Sequence, residues 1–409
     1  MKMQNQFARR PKVLVLTSTF PRWEDDHEPA FVFELSRWLT DAFDITILAP
    51  RAPGSKMKET IDALQVIRFP YFFRRWENLA THSGGILNRL RANPLNYLLV
   101  PLFLFGELTA LIRLMREKRF DLIHAHWLIP QGFIAVLALT WFHPRIPLLC
   151  TAHGGDLFAL RGKIFQTTKS WIIKRSQALT VVSRAMERMV VDLGAAPDKV
   201  HVMPMGVDLK HKFTPDPRVE RNTNEILFVG RLVEKKGLQV LLEAIPKVLV
   251  KHPAIRLTVA GAGPLDEELS ELARRLGISD KVDFLGMVSQ EELPKLYRRA
   301  ALAIFPFVVA KSGDQEGFGL VQVEAMGCKC PVIAGDLPAI HDNITHEVNG
   351  LLVPPGDSNM LADTILRALS DPDLCSRLAK EGRKRAVEQY DWEIVAEKYS
   401  KLYEKCLSP

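Results

Sequence analysis

Short apolar runs alternate with stretches of helical periodicity along almost the whole chain. Runs at 12–17, 44–49, 65–69, 120–125, 147–151, 178–182 and 199–203 are rich in Val, Ile and Leu and bounded by polar or turn residues. That is the pattern of strands buried on both faces. Between them, apolar positions recur at three- and four-residue spacing over 28–41, 94–118, 131–141, 163–175 and 184–193, which predicts helices. The second half repeats the alternation, with strands at 225–230, 255–260, 281–285, 301–305, 331–334 and 350–353 and helices over 238–251, 266–276, 357–369 and 392–406. Strand after helix after strand predicts parallel, doubly wound α/β sheets. Residues 206–224, with Pro215 and Pro217, read as a linker.

At 409 residues the chain exceeds one ordinary core and fits two domains. Apolar content of 47% and charged content of 25% belong to a globular protein and give no sign of disorder. The five cysteines form no CxxC pattern, so neither a disulfide framework nor a thiolate metal site is indicated, and a reducing cytoplasm fits. The run 95–105 contains Pro101 and meets Glu107 soon after, too short to span a bilayer. The N-terminal apolar run is likewise short and reads as the first strand.

Charge is unevenly placed. Residues 1–210 hold 28 Lys/Arg against 18 Asp/Glu, net +10, while residues 211–409 hold 26 against 29, net −3. The first half therefore suits an anionic partner.

The candidate chemistry gathers in loops that follow strands, where open α/β sheets bind ligands. After strand 301–305 the chain reads Glu316-Gly317-Phe318-Gly319-Leu320 and then helix. Glycines flanking Phe318 let the first free N–H groups of that helix approach a phosphate. Glu316 lies just outside the helix and Glu324 inside it, off one common face, so they suit two parts of one ligand rather than one metal. Each alone also reads as a cap or a surface glutamate. After strand 225–230, Gly230 is followed by Arg231 and Lys236, two cations able to converge on a diphosphate. Gly261-Ala-Gly263 follows another strand, but a lone GxG is weak support for a dinucleotide site and leaves a hydride-transfer enzyme remote. His153, between a strand end and Gly154-Gly155, can offer a donor to a hydroxyl. Asp156 is a weaker candidate with helix capping as its other reading. His124 and His126 share one side of their strand by alternation, His126 expected at the cleft and His124 packed. The only DxD, Asp371-Pro-Asp373, reads as a helix cap, so no catalytic metal is expected.

Together, GRLVEKKG at 230–237 and EGFGLVQVE at 316–324, in this order and separation, resemble the retaining glycosyltransferases of family 4, glycosyl transferases group 1. The resemblance covers nearly the whole chain. It implies the GT-B fold: two Rossmann-like doubly wound domains facing each other across a cleft, with a C-terminal helix crossing back to the first. The boundaries expected are 1–210 for an acceptor-binding domain, 211–390 for a nucleotide-sugar-binding domain and 391–409 for the returning helix.

The implied reaction is metal-independent transfer of a hexosyl group, with retention, from a nucleotide diphosphate sugar to a glycan or lipid-linked acceptor, as in polysaccharide biosynthesis. No cofactor beyond the donor substrate and no nucleic acid are implied. On this resemblance Arg231 and Lys236 neutralise the diphosphate, and the N–H groups near Phe318 to Leu320 cradle it. Glu324 holds the ribose, Glu316 the sugar hydroxyls, and His153 meets the sugar from the first domain. Gly230, Gly261, Gly263, Gly317 and Gly319 line the donor site. Phe20, Arg22, Glu28, His126 and Asp156 are the acceptor-side candidates.

Two departures from the family stand out. The loop Thr19 to Phe31 lacks its glycines, and Lys329 occupies a position where the family commonly has glycine. If φ is positive there, strain of roughly 1 kcal/mol follows. Two rivals keep the fold: a nucleotide-sugar epimerase or hydrolase, and a non-catalytic nucleotide-sugar-binding subunit. The cations at Arg74, Arg75, Arg89, Arg91, Arg116 to Arg119, Lys174 and Arg175 suit either a peripheral contact with the anionic inner face of the membrane or dispersed solubilising charge. The apolar side chains of 95–105 read as helix core.

Overall fold

A computed structural model of the protein describes residues 9–23, 26, 31–80, 85–86, 89–90, 93–142 and 145–408. The chain divides into two compact units. The first comprises Met1–Val182, Met186–Met203 and Val395–Pro409; the second comprises Ser183–Ala185 and Pro204–Ile394. The division falls between Met203 and Pro204, earlier than the expected 210, and the last helix changes unit at Val395 rather than 391.

The first unit is built on an eight-stranded sheet in the order β3-β4-β2-β1-β5-β6-β7-β8. Its strands are β1 (Lys12–Leu16), β2 (Asp44–Pro50), β3 (Lys58–Ile61), β4 (Leu64–Phe69), β5 (Leu122–His126), β6 (Leu148–Ala152), β7 (Ala178–Val181) and β8 (Val200–Val202). All pairings are parallel except β3 with β4. β3 was not expected: its KETI sequence is polar and lies at the sheet edge. It pairs through a two-residue turn in which Asp62 and Ala63 both take positive φ, 45° and 66°, the geometry that suits hairpin twist. Buried Val, Leu and Ile fill β1, β2, β5, β6 and β7 on both faces, as helices on either side of a parallel sheet require.

The second unit holds a six-stranded, all-parallel sheet in the order β11-β10-β9-β12-β13-β14. Its strands are β9 (Asn222–Val229), β10 (Arg256–Ala260), β11 (Val282–Gly286), β12 (Ala300–Phe305), β13 (Val332–Gly335) and β14 (Leu351–Val353). In each sheet the strand order reverses once, between β1 and β5 and between β9 and β12. The carboxyl ends of those strand pairs are where open α/β sheets bind ligands.

Two features correct the linear reading. The segment 206–221 is no free linker: Leu209 and Phe213 are buried, and the Arg383 guanidinium donates to the carbonyls of Leu209, Phe213 and Gly327 at 2.7–3.0 Å. Its prolines mark an irregular backbone whose carbonyls a side chain satisfies. The helix Leu99–Glu117, preceded by a 3-10 turn at Pro94–Leu98, packs along β2 and β4 with Phe103, Leu111 and Leu114 buried. Pro94–Glu117 spans 24 residues and is long and apolar enough by composition to cross a membrane, more than the run 95–105 suggested. Glu107 points into the unit, where burial pushes its pKa up to about 8 against the smaller opposing effect of Gln131.

The final helix, Trp392–Leu407, belongs to the first unit from Val395 onward. Tyr403 packs edge-on against Phe43 and hydrogen-bonds the His124 ring at 2.7 Å.

Candidate functional site

In the second unit the loops after β9 and β12 flank the strand-order reversal and are laced together. Gly237, at φ 72°, closes the short 3-10 turn Glu234–Lys236; a Cβ there would lie 1.8 Å from the Pro306 carbonyl oxygen. Only glycine allows that approach. The Lys235 ammonium donates to Asp314 at 3.1 Å and to the Gln315 carbonyl, while Lys311 N–H donates to Glu234 at 2.9 Å. Lys236 reaches Glu316 at 2.7 Å and lies over the Phe307 ring. Arg231 is half-buried in the same loop. Gly261 and Gly263 let the loop after β10 stack on the backbone of Gly230 and Leu232, since a Cβ on either would collide with it.

Glu316 is the centre of this lacework. One carboxylate oxygen accepts from Lys236, and the other accepts the N–H groups of Gly317, Phe318 and Gly319 at 3.1–3.3 Å. Burial alone would raise its pKa. The charges of Lys236 and Lys235, with the hydrogen bonds, outweigh that and hold it well below the usual carboxylate range.

The expected cradle is thereby shifted. The N–H groups of 317–319 are already occupied, and Phe318 packs its side chain against Tyr390 with its ring buried. The helix itself is Leu320–Gly327, entered through Gly319 at φ 81°. The N–H groups of Leu320 and Val321 have no partner among the described residues, as the first N–H groups of a helix require, and these remain for an anion.

Inside the helix Glu324 is buried and accepts from the Tyr297 hydroxyl at 3.0 Å. Burial pushes its pKa up to about 7, partly offset by Tyr297, Lys212 and Lys236. Lys235, Asp314 and Tyr297 escaped the sequence reading. A lysine adjacent to the expected one was the available signal for the first; Tyr297 sits far back in its own helix and gave none.

In the first unit the reversal lies between β1 and β5. His126 ends β5 and His153 follows β6, and their rings meet, Nδ1 of His126 to Nε2 of His153 at 3.0 Å with near-parallel planes. His153 is also faced by the Phe31 and Trp127 rings, both under 5 Å between centroids. Burial lowers the pKa of His153 to about 3 and carries that of His126 well below its ordinary value, so both rings are neutral near pH 7. A neutral pair sharing one proton across a hydrogen bond leaves its outer nitrogens, Nε2 of His126 and Nδ1 of His153, with one donor and one acceptor between them. Both outer nitrogens are buried with no partner among the described residues. His124 bonds Tyr403 and Thr151 and is packed, as expected. His126, by contrast, is itself fully buried and backs His153 instead of lining an open surface.

The described acceptor-side candidates Phe20, Arg22 and Asp156 have partners within the fold. Phe20 is buried against Phe33, and Arg22 pairs with Asp26 and stacks on Trp23. Asp156 is buried and staples the loops, accepting from the N–H groups of Leu128, His153 and Gly154. Glu28 lies outside the described residues. Asp371 caps the helix Pro372–Tyr390 through the Leu374 N–H at 2.9 Å, the role expected of it.

The comparisons with known proteins agree with this layout. Residues 30–211 match Glycosyltransferase Family 4 and residues 210–385 match Glycosyl transferases group 1. The D-inositol 3-phosphate glycosyltransferase of Frankia alni is 34% identical over 320 residues, covering 71% of this chain and 75% of that protein. Among solved structures, sucrose-phosphate synthase from Thermosynechococcus elongatus superposes with a TM-score of 0.79 at 22% identity, covering 97% of this chain and 99% of that one. Anabaena HepE in complex with UDP-glucose superposes at 0.73 and 19% identity, covering 96% and 99%. Two sheets that each reverse once, a lysine and glutamate locked at the head of a helix, and sequence matches that together run from residue 30 to 385 converge: the chain is a GT-B glycosyltransferase of the glycosyl transferases group 1 family.

Proposed function

We propose that the protein moves a hexosyl group from a nucleoside diphosphate sugar to a glycan or lipid-linked acceptor, with retention at the anomeric carbon and without a metal ion. The observation that carries this reading is the head of the helix Leu320–Gly327. There Lys236 pairs with Glu316, the N–H groups of Leu320 and Val321 are unengaged, and Arg231 lies on the same loop as Lys236. A leaving diphosphate needs such a positive cradle, fixed before the reaction begins.

In this reading Lys236 and Arg231 neutralise the diphosphate, the N–H groups of Leu320 and Val321 take its oxygens, and Glu324 accepts from the ribose hydroxyls. Glu316, already holding a lysine and three N–H groups, acts as a fixed charge beside the donor sugar. Its low basicity argues against service as a nucleophile. To His153 we assign a contact with the sugar, on the likeness of its HGGD segment to that of the family. That HepE was solved with UDP-glucose supports a nucleoside diphosphate hexose as the donor class. The five cysteines are all free, which supports a reducing compartment such as the cytoplasm.

The test is a thermal-shift screen of UDP, GDP and ADP and then of the matching sugars, run with and without EDTA and repeated on Lys236→Ala. One diphosphate should stabilise the parent whether or not EDTA is present. Lys236→Ala should cost ~3 kcal/mol in the transition state, about a hundredfold in kcat/KM. A shift that vanishes in EDTA and returns with magnesium would refute the metal-free assignment, and normal turnover by Lys236→Ala would refute the cradle.

A further inference from the structure

The first unit exposes large apolar side chains at several places, among them Trp23, Trp141 and Ile164, but one helix and the loop beside it gather the longest run of them. The helix Leu99–Glu117 and the turn before it have two apolar faces. One, through Phe103, Leu111 and Leu114, is buried on the sheet. The other, through Leu98, Leu102 and Phe105, follows the three- and four-residue spacing of one helical stripe and lies in the open, with Leu98 71% and Phe105 67% exposed. Along the same stripe stand Arg113, which pairs with Glu117 at 2.7 Å, and Arg116, which lies over the Phe142 ring.

Beside it stands the exposed run Phe72-Phe73-Arg74-Arg75-Trp76, with Phe73 71% exposed. The two segments are neighbours. Gly106 has no room for a Cβ because Pro70 O would lie 2.6 Å away, and Tyr71 packs on Phe103 at 5.2 Å between ring centroids. The aromatic run is also held in place from behind. The buried Glu77 carboxylate accepts the N–H groups of Tyr71 and Phe72 and pairs with Arg51, and Tyr71 takes the Leu79 N–H at 2.9 Å. A loop pinned by a buried carboxylate while displaying two phenylalanines, two arginines and a tryptophan is presented outward by design of the fold. Apolar patches of this kind mark an interaction surface.

We propose that this face of the first unit docks on an anionic lipid bilayer, lying in its interface rather than crossing it. Three observations choose the occupant. The helix cannot span a membrane without leaving the sheet it covers and exposing Glu107. Aromatic and aliphatic side chains beside arginines match the boundary between acyl chains and anionic headgroups, where Trp and Tyr partition and cations find phosphate. Residues 1–210 also carry net +10 within a chain of net +7, a charge complementary to such a surface.

Position adds a functional sense. The aromatic run leaves the carboxyl end of β4, and His126 and His153 stand at the carboxyl ends of β5 and β6 in the same parallel sheet. Three strand spacings separate β4 from β5, about 14 Å along the sheet edge. An acceptor whose lipid is embedded in the docked bilayer would be delivered to that edge.

The experiment is co-sedimentation of the full chain with phosphatidylcholine vesicles, with and without phosphatidylglycerol, at low and high salt. It uses the parent, the triple variant Phe73→Ser/Leu98→Ser/Phe105→Ser and the double variant Arg74→Glu/Arg75→Glu. All five side chains are exposed, and a thermal melt of each variant checks the fold. The parent should bind the anionic vesicles and release as salt rises. The triple variant should lose at least about tenfold in partitioning, and the double variant should lose the preference for phosphatidylglycerol. Sedimentation velocity without lipid should give the same state for parent and triple variant. The proposal is overturned if the parent ignores anionic vesicles at low salt, if the triple variant binds as the parent does, or if the parent self-associates and the triple variant does not. The last outcome would assign the face to a second copy. Because vesicle binding is read without any donor, it stands or falls apart from the transfer reaction.

Discussion

Two side chains carry the most testable chemistry. Glu324 is buried with its pKa pushed up to about 7, and in the ribose role we propose for it the ionised form is the stronger acceptor. Nucleoside diphosphate affinity should therefore rise as pH increases through about 7, and calorimetry of Glu324→Gln should show that rise flattened. The sign for stability is opposite. The folded pKa lies above the unfolded one, so this group's contribution is present at low pH and lost as pH climbs through 7. His126 offers a different test, because it touches His153 and no open surface. Replacing it with Phe removes one neutral hydrogen bond, of order 1 kcal/mol, and frees the His153 ring to choose its own tautomer. We expect kcat to fall about five- to tenfold, in keeping with that energy, while diphosphate affinity stays unchanged. Equal losses in both quantities would mean the substitution had simply damaged the fold.

Elements were more legible than the contacts between them. Every strand of the second unit appears close to its expected place, because β-branched runs buried on both faces leave a strong signal in one dimension. The GT-B fold followed from that alternation with its two motifs. What the sequence hid was polar and three-dimensional. β3 is a polar edge strand, Arg383 turns a proline-containing stretch into packed structure, and Glu316 occupies N–H groups that had been reserved for phosphate.

At Lys329 the glycine that the family resemblance implies answers to a backbone of positive φ. Lys329 follows the helix Leu320–Gly327 and sits exposed at φ 56°, where a side chain is strained. Lys329→Gly should relieve about 1 kcal/mol of strain and, net of the roughly 0.5 kcal/mol of entropy that glycine loses, raise the melting temperature by about 1–2 °C. An unchanged or lowered melting temperature would show that the loop relieves the strain elsewhere.

Across the molecule, the two units differ in how acid acts on them. The first encloses His124, His126 and His153, whose pKa values burial depresses, His124 and His153 to about 3. Their unfolded counterparts protonate near pH 6.5, so unfolding takes up protons below that point and stability falls as pH drops. Glu107 and Asp156, whose pKa values burial raises, oppose this, while His201, whose pKa burial lowers, adds to it. The second unit has Glu324 in the same sense as Glu107 and no buried histidine cluster among its described residues. Hydrogen exchange between pH 7 and 5 should therefore show β5 and β6 losing protection before β9 and β12. Uniform loss across both sheets would contradict this balance.

The return of the last helix has a consequence for synthesis. Tyr399 and Tyr403 complete the packing around His124 and Phe43, yet they are encoded after the whole of 204–394. At about 5–20 residues per second, a ribosome needs roughly 10–40 s to add that stretch. Throughout this interval the nascent first unit must hold its sheet with one helix missing, its His124 imidazole and Phe43 ring uncovered. The second unit emerges and can close before the first is complete. A nascent chain stalled at 394 should be the form that chaperones grip, and emergence of Val395–Pro409 the event that frees it.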